Sequence, residues 1–522
     1  MKILFRLKAR DNFQTVDIPK GYSAEKLYGD YEDRYDNPVL LAKINNKYKE
    51  LTAELYEGDR VELLDIKNQG ANLVHQNSLS LLYCVAIRNL FGDCRVNIDN
   101  SLNQGLYTKV TRELSDREIA SVSEEMRRLA EADMPIKAVD KGIYELDGYR
   151  EKSCLLMVPS TGYLKCFEVR KYKKGVLLRF PLPGDPKKIP EYRDQPRLYE
   201  AFEEQSRWNE LLGVDYVEDL NRLIEKGDSR ELIMLSEALH EKKIAEIADM
   251  IKSGQKRIIL IAGPSSSGKT TFARRLCVQL KVNGMDALYL GTDDYFVDRE
   301  DTPLDENGEP NYEGLDAIDT ELFNSNMNDL LSGKSVDLPT FNFITGVKEF
   351  GKRITRIEPG QPIVIEGIHG LNDKMTLQIP SEEKFKIYIS PLTQLNIDPH
   401  TRIPTTDERI LRRMVRDHQF RNNDAKGTIS DWPKVRAGED KNIFPYNSQA
   451  DVLFNSYHVY EIAVLKKYAK PMLEAISQEE PEYAEARRLL SFLDFFVDIE
   501  DESAILSNSI IREFIGGSVY VD

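Results

Sequence analysis

The clearest pattern of apolar and polar positions lies in the second half of the chain, where short apolar runs alternate with amphipathic stretches. The runs are rich in Ile, Leu and Val and almost continuously apolar, which is typical of strands buried on both faces. Stretches with helical periodicity separate them. We therefore predict an α/β fold with a parallel sheet covered by helices on both faces. The predicted strands are 257–262, 286–291, 362–367, 385–390 and 450–454.

The first half of the chain has a less regular order of strands and helices. We predict two smaller α+β domains there, ending in the Pro- and Gly-rich stretch 180–192. Apolar periodicity predicts helices at 80–91 and 117–133 and two more near the C-terminus, at 459–477 and 481–496. The predicted domains are 1–65, 66–195, a helical connector at 196–252, and 253–522.

Composition narrows the class of protein without deciding its function. The chain has 522 residues and a net charge of −16, which does not favour nucleic acid as a general partner. The five cysteines form no Cys-x-x-Cys pair, so we expect reduced thiols and neither a disulfide framework nor a zinc ribbon. The N-terminal apolar run is too short for a signal peptide, and no apolar stretch is long enough to span a membrane, so we expect a cytoplasmic protein. The cysteines are Cys84, Cys94, Cys154, Cys166 and Cys277.

The segment GPSSSGKTTFARRL at 263–276 carries the first chemical signal. It fits Gly-x-x-x-x-Gly-Lys-Ser/Thr and lies between a predicted strand and a helix predicted over 270–284. Glycines let the backbone turn its N–H groups toward a polyphosphate, and the helix dipole favours the same anion. We predict that Lys269 binds the β- and γ-phosphates and that the Thr270 hydroxyl is a ligand of Mg²⁺. The predicted nucleotide site is Gly263, Ser265, Ser266, Ser267, Gly268, Lys269, Thr270 and Thr271.

Three carboxylates follow predicted strands at the edge of the sheet where ligands of such folds bind. Asp293 and Asp294 come after the second strand, and Glu366 ends the third. We predict that Asp293 and Glu366 hold Mg²⁺, directly or through water, and that one of the two aspartates accepts the proton of an attacking hydroxyl. The alternatives are a cap or solvated turn for Asp293 and a surface turn for Glu366.

The stretch DERILRRMVRDHQFR at 407–421 predicts a helix with a divided surface. Arg409, Arg412, Arg413 and Arg416 fall at i, i+3, i+4 and i+7 and therefore share one face. We predict that these arginines form a lid over the transferring phosphate, with Arg412, Arg413 and Arg416 in catalytic roles. A solvated charged face is the alternative.

A pair of aspartates, Asp316 and Asp319, precedes a helix in the stretch GLDAIDTELF at 314–323. Either residue has the side chain of an N-cap. The functional alternative is a carboxylate that accepts hydrogen bonds from hydroxyl groups of a substrate. His369 is the histidine nearest the predicted site, and we assign it no role.

Six motifs occur in a set order through the second half: GPSSSGKTTFARRL, TDDYF, GLDAID, PTFNF, IVIEGIHGL and DERILRRMVRD. Through them, residues 257–455 resemble the uridine kinase and phosphoribulokinase family of P-loop kinases. The resemblance implies Mg-ATP as the phosphate donor and Asp293 as the base toward the 5′-hydroxyl of a nucleoside. It also implies that Asp316 binds ribose hydroxyls, that Glu366 helps to hold Mg²⁺, and that the arginine helix is the lid.

The chain departs from the uridine kinase pattern in the segment PTFNFITGVK. Uridine kinases typically have a Tyr and a His there that read the base, and this chain has Phe341 and Gly346. Phe343 is retained and can stack on a base. We expect Phe341, Phe343 and Arg409 to contact the acceptor together with Asp316. An extension at 396–406 also precedes the arginine helix.

The N-terminal half resembles threonyl-tRNA synthetase. Residues 1–65 are similar to its small TGS-type domain, and 75–110 are similar to part of its editing domain. The editing pocket of the synthetase has a His-x-x-x-His pair and a Cys-x-x-x-His pair. Here His75 is followed by Leu79 and Cys166 by Arg170. We therefore expect no editing activity and a regulatory or assembly role, with affinity for tRNA or a small effector left open.

These observations lead to one main hypothesis and three alternatives. The main hypothesis is a kinase that transfers the γ-phosphoryl group of Mg-ATP to a nucleoside, with uridine or cytidine first, and a homo-oligomer is compatible with it. The first alternative keeps the chemistry and takes a sugar, a polyol or another hydroxyl metabolite as acceptor. The second is a nucleotide-dependent RNA-binding or regulatory protein. A GTP switch is disfavoured, because no Asn-Lys-x-Asp motif occurs; NKYK at 46–49 lacks the Asp.

Overall fold

The computed structural model describes residues 1–153, 155–304, 308 and 310–521. It begins with a five-stranded sheet that packs on one helix, Ala24–Tyr31. The first strand pairs in parallel with the last along the chain, and the other pairs are antiparallel. In spatial order the strands are Gln14–Asp17, Lys2–Arg6, Arg60–Asp65, Val39–Ile44 and Lys47–Lys49.

The next region is built around a helix, Gln69–Phe91, that is buried along most of its length. The apolar pattern predicted a helix only from residue 80, because the first turns carry polar residues. Asn68 nevertheless caps the helix by accepting a hydrogen bond from the Ala71 N–H at 3.2 Å. A helix, Asp116–Glu131, and two antiparallel sheets pack around it. Their strands are Glu168–Tyr172, Gly175–Arg179, Gly105–Val110 and Val96–Leu102, and Tyr149–Lys152, Ile143–Leu146 and Lys137–Asp140.

Three helices follow: Pro196–Leu212, Val217–Lys226 and Ser229–Ser253. The third packs Ile244, Ile247 and Ile251 against Phe272 and Leu276 of the helix that follows the phosphate loop. It therefore covers the parallel sheet as part of a helical layer, besides linking the two halves of the chain. The domain boundaries at 65 and 195 stay predictions.

The second half contains the parallel five-stranded sheet predicted from the sequence. In its central strand, Ile259 and Ile261 face one hydrophobic core while Ile258 and Leu260 face the other, so both faces are covered. Helices Lys269–Val282 and Thr320–Leu331 lie on opposite faces. The strands, in spatial order, are Leu288–Gly291, Ile363–Glu366, Ile258–Ala262, Lys384–Ser390 and Val452–Asn455.

The remaining helices are Thr405–Phe420, which we call the arginine helix, Ala425–Asn442, Glu461–Glu474, Tyr483–Leu493 and Arg512–Ile515. Two short antiparallel pairs, Val336–Asp337 with Ile354–Thr355 and Thr340–Asn342 with Val347–Glu349, lie beside the sheet. Cys84, Cys94, Cys166 and Cys277 are free, as expected, and Cys154 lies outside the described residues. In the described part of the chain, no helix combines the length and apolar character needed to cross a membrane.

The extension at 396–406 docks the first half of the chain on the second. The Asn396 side chain donates a hydrogen bond to the Ile98 carbonyl at 2.9 Å, and the Ile98 N–H donates to the Pro399 carbonyl at 2.8 Å. The extension runs directly into the arginine helix. The two halves therefore meet at the start of the helix that carries the predicted lid.

Candidate active site

The loop at 263–268 is shaped by its two glycines. Gly268 has φ +81°, a conformation that side chains disfavour, and a Cβ there would lie 2.5 Å from Ile510. A Cβ on Gly263 would lie 2.0 Å from the Ile389 carbonyl oxygen of the neighbouring strand. No other residue fits either position without moving its neighbour. The loop then enters its helix at Lys269, where the N–H groups of the first turn point toward the loop and can bind an anion.

Lys269 folds back over the loop that precedes it. Its Nζ donates to the carbonyl oxygens of Gly263 at 3.0 Å and Pro264 at 3.1 Å. Burial lowers the pKa of Lys269, and nearby carboxylates oppose that shift. The ammonium group is thus held in position and is surrounded by carboxylates. A bound polyphosphate would take over from these carboxylates as the negative partner of the ammonium group. The carboxylates are Glu366, Glu513, Asp293 and Glu439.

Oxygen atoms suited to a hard cation converge beside this lysine. The Thr270 hydroxyl donates to Glu366 Oε1 at 2.9 Å, and the Tyr289 hydroxyl donates to the same oxygen at 2.9 Å. Glu366 therefore faces the loop and is not a surface turn. Within the described residues, no group of three or more His, Cys, Asp and Glu side chains forms a metal cage. This arrangement fits Mg²⁺, which binds proteins through one or two oxygen ligands and takes the rest from phosphates and water.

The two aspartates after the second strand differ in environment. Burial, reinforced by the neighbouring Glu366 charge, raises the pKa of Asp293 to about 6, although Lys269 opposes the shift. Asp294 instead forms an ion pair with Arg353 at 3.1 Å. Of the pair, Asp293 is the carboxylate that shares the site with Lys269 and Glu366, and its raised pKa suits a proton acceptor.

The arginine helix does not present its arginines as an open lid. Arg409 and Arg412 are 1% and 0% exposed. Arg412 is ion-paired with Glu461 at 2.6 Å and donates to the Ser266 carbonyl at 3.3 Å. Arg409 is ion-paired with Glu439 and donates to the Ser265 carbonyl at 3.1 Å. These two side chains therefore point inward and contact the phosphate loop. This differs from the predicted open lid and also from the alternative of a solvated charged face.

The other two arginines lie nearer the surface. Arg413 donates to the Ser265 hydroxyl at 2.9 Å and is paired with Asp417 at 3.2 Å. Arg416 is paired with the same carboxylate at 2.7 Å. Both are partly buried, and of the two only Arg413 contacts the loop. Because both side chains are more exposed than those of Arg409 and Arg412, they are the better candidates of this helix to contact a phosphate.

Replacing Arg412 by Met tests its structural role. We expect the variant to lose about 3 kcal/mol or more of unfolding free energy, because Glu461 would be left buried without its partner. The measurement is the denaturation midpoint, with Arg413→Met as the matched control, expected to shift it little. Normal stability with lost turnover in Arg412→Met would instead assign Arg412 a direct role in transfer.

Two glutamates that the sequence analysis missed accept hydrogen bonds from N–H groups at the phosphate loop. The Ser265 N–H donates to Glu439 Oε1 at 2.9 Å. At the other end, the Thr271 N–H and hydroxyl donate to Glu513 Oε2 at 3.2 and 2.7 Å. Glu439 comes from the helix after the arginine helix, and Glu513 from the C-terminal segment. No local motif marks either residue. Both carboxylates stand where the loop would bind anionic oxygens.

The predicted acceptor residues lie on two neighbouring segments. Asp316 is in a short turn, Leu315–Ala317, and His369 is buried against the backbone of that turn. Asp319 caps the next helix through the Leu322 N–H at 3.0 Å, which confirms the capping alternative for that residue. Asp316 is therefore the one of the pair left for a substrate.

A group of aromatic rings lies beside the turn Thr292–Tyr295, which contains Asp293. Phe341 packs edge-on to Phe343, with ring centroids 5.1 Å apart, and to Phe296 at 5.7 Å. Phe343 is 61% exposed, so its ring is open to a planar ligand. Gly346 has φ +74°, and a Cβ there would lie 2.8 Å from Arg299, which makes glycine necessary in this hairpin. The position cannot carry a base-reading histidine in this conformation.

Known proteins are similar to the part of the chain that contains the phosphate loop. Residues 258–463 match the model of the phosphoribulokinase / uridine kinase family. A uridine kinase of Staphylococcus aureus is 31% identical over 198 residues, which are 38% of this chain and 86% of the relative. The chain belongs to the phosphoribulokinase / uridine kinase family. Its kinase region is a phosphotransferase that acts on a hydroxyl group.

Two further proteins are similar to part of this family member. A uridine kinase of Leuconostoc citreum is 27% identical over 221 residues, 42% of this chain and 96% of the relative. A solved structure described as a possible uridine kinase from Bacillus stearothermophilus is 20% identical, covers 41% of this chain and 97% of that chain, and has a TM-score of 0.28. The family match itself leaves 1–257 and 464–522 uncovered.

Proposed function

We propose that this family member is a nucleoside kinase that transfers the γ-phosphoryl group of ATP to a 5′-hydroxyl, with uridine or cytidine as the first candidates. The observation that carries the proposal is the convergence of Lys269, the Thr270–Glu366 pair and Asp293 at one edge of the sheet. The exposed aromatic group around Phe343 favours a planar base over a sugar or polyol.

Each residue has a defined task in the proposed transfer. The loop N–H groups and Lys269 hold the phosphates in line with the acceptor, and Lys269 offsets the charge that spreads over the transferring group. Asp293 accepts the proton of the hydroxyl as the new O–P bond forms. Thr270 and Glu366 would hold Mg²⁺, which supplies positive charge at the phosphates when bound. Asp316 would bind hydroxyls of the acceptor.

ATP must displace the two glutamates from the loop. Each carboxylate is a single anionic group at an N–H donor, whereas a triphosphate contacts the whole loop and brings Mg²⁺ with it. We propose that this exchange is the first step of ATP binding and that the two glutamates hold the loop in position until it occurs.

Replacing Glu513 by Gln is expected to lower the KM for ATP about three- to tenfold, because it removes a negative charge that repels the incoming phosphates. The amide oxygen can still accept the Thr271 hydrogen bond, so folding should be retained. The measurement is the KM for ATP at saturating acceptor. Glu500→Gln, an exposed glutamate whose side chain is 75% accessible, is the control. A KM that rises or does not change would show that Glu513 does not compete with ATP.

We propose that the synthetase-like N-terminal half is not a hydrolase and has a regulatory or assembly role. His75 is 3% exposed, packs against the Phe180 ring at 6.0 Å, and has its pKa lowered to about 4 by burial. Leu79 is fully buried, and Arg170 lies over the Tyr192 ring at 4.0 Å. The side chains at these three positions are used for packing, which supports the proposal.

The proposed activity is tested by the release of ADP from Mg-ATP with a panel of nucleosides, sugars and polyols. Stimulation by uridine or cytidine, lost in Lys269→Ala, would support the nucleoside kinase. Stimulation only by a sugar or polyol would keep the chemistry and replace the acceptor. No stimulation by any compound would contradict the proposal and turn attention to tRNA binding by the N-terminal half.

A further inference from the structure

A cavity of about 430 Å³ lies where the N-terminal sheet, the second region and the kinase region meet. It is separate from the phosphate loop, and none of the predicted site residues lines it. Its size is within the range of small-molecule sites in proteins. The wall is largely apolar and includes four aromatic side chains, namely Tyr48, Tyr483, Phe492 and Phe495.

The cavity lining carries an excess of positive charge, because five Lys and Arg side chains and a single carboxylate, Asp407, line it among the described residues. Lys47, Lys49, Arg402 and Arg487 line it, and none of them forms an ion pair with a carboxylate of the described residues. This is unusual in a chain whose net charge is −16. Three of these cations are exposed at the rim, and they come from two separate parts of the chain.

Arg402 is the cation whose position is hardest to explain by folding alone. It is partly buried, and its one hydrogen bond to the described residues is a 3.4 Å contact with the Ile403 carbonyl. Burial lowers its pKa to about 10, so the side chain remains charged at neutral pH. The nearby Asp407 is already held by Arg488 through two hydrogen bonds of 2.7 and 2.8 Å. A guanidinium group that loses water without gaining a partner destabilises the fold unless an anion binds it.

A polar side chain adds a recognition element to the same wall. Asn77 lies in the cavity, is partly buried, and makes no side-chain hydrogen bond with the described residues. Its amide offers two donors and an acceptor to a ligand. Aromatic and aliphatic walls, one free amide and a basic rim together select a ligand with a flat apolar body and an anionic group.

We propose that this cavity is an effector site for a small amphipathic anion, with an apolar, flat body and one phosphate, sulfonate or carboxylate group. The anionic group lies among Arg402, Arg487 and the two lysines, and the body lies against Tyr48, Phe492 and Phe495.

The cavity is connected to the phosphate loop by a single rigid element. Pro404 and Asp407, at the start of the arginine helix, line the cavity. Two residues further on, Arg409 holds both the Ser265 carbonyl and Glu439, the carboxylate that occupies the Ser265 N–H. A ligand that shifts the start of this helix therefore changes how firmly Glu439 holds the loop. The two states are a loop bound by Glu439 and a loop free for phosphates.

The probe for the test is 1-anilinonaphthalene-8-sulfonate, a flat apolar anion whose fluorescence increases in apolar sites. We expect the full chain to bind it at one site, and Arg487→Gln and Arg402→Gln each to weaken binding at least fivefold. Arg117→Gln is the matched control, an exposed helical arginine outside the cavity. Arg487 is exposed, so its variant should fold even if the Arg402 variant does not. Equal binding by the wild type and Arg487→Gln would overturn the proposal, as would complete competitive displacement of the probe by Mg-ATP, which would place the probe in the nucleotide site.

The coupling is measured as the dissociation constant of ATP, by calorimetry, with and without saturating probe. We expect at least a threefold change in the wild type and a smaller change in Arg487→Gln at the same probe concentration. Probe binding without any change in ATP affinity would overturn the effector role. Because probe binding is expected to be unchanged in Lys269→Ala, the site can be tested even if the proposed nucleoside kinase activity fails.

Discussion

Replacing Lys269 by Ala is expected to reduce kcat about a thousandfold, which corresponds to about 4 kcal/mol of transition-state stabilisation. The ammonium group is already fixed over the loop by the Gly263 and Pro264 carbonyl oxygens, so its charge needs no reorganisation during transfer. The alanine variant removes that charge and leaves four carboxylates around the phosphate site. Binding of ATP should weaken as well.

The measurement is the steady-state release of ADP with the acceptor identified in the panel. Lys281→Ala is the matched control, because Lys281 is in the same helix and its side chain is 72% exposed at the opposite end. Turnover in Lys269→Ala within tenfold of the wild type would contradict the assignment of the loop as the site of transfer. A parallel loss in Lys281→Ala would indicate damage to the helix instead.

Replacing Asp293 by Asn is expected to reduce kcat between about a hundredfold and ten-thousandfold, the usual range for loss of a general base. The amide has nearly the same shape and cannot accept the proton of the hydroxyl. ATP binding should be preserved, since Lys269, Thr270 and the loop N–H groups are untouched. Loss of a negative charge beside Lys269 and Glu366 also reduces repulsion of the phosphates, so the KM for ATP should not rise.

Asp294→Asn is the informative comparison, because Asp294 is adjacent in sequence but is paired with Arg353. We expect it to change kcat much less than Asp293→Asn does. Single-turnover experiments with both variants would separate transfer from product release. A full rate in Asp293→Asn, or equal losses in the two variants, would show that the base has been assigned to the wrong residue.

The sequence predicted the parallel sheet correctly because its signal is local. Each strand is a short apolar run, and burial on both faces requires that run whatever the neighbours are. The strands begin and end within two residues of the predicted limits, as in Ile258–Ala262 for 257–262. The loop was also predictable, because its Gly, Lys and Thr residues occur at a fixed spacing within one short stretch of the chain.

The arginine helix shows where such reasoning fails. Helical spacing correctly places four arginines on one face, but the same pattern serves a solvated surface, a lid or a buried set of ion pairs. The ion-pair partners decide between these three possibilities. Glu439 is 30 residues away from Arg409 in the sequence, and Glu461 is 49 residues away from Arg412. No periodicity within the helix contains that information.

The sequence by itself therefore determined the sheet, the phosphate loop and the family, since each depends on residues that are close together in the chain or arranged in a set order. Only the tertiary structure decided that Glu439 and Glu513 occupy the loop, that Arg409 and Arg412 are buried beside it, and that a basic cavity adjoins the arginine helix. These features arise from contacts between distant segments. Their free energies depend on burial and on the distance between charges, and neither quantity is encoded locally.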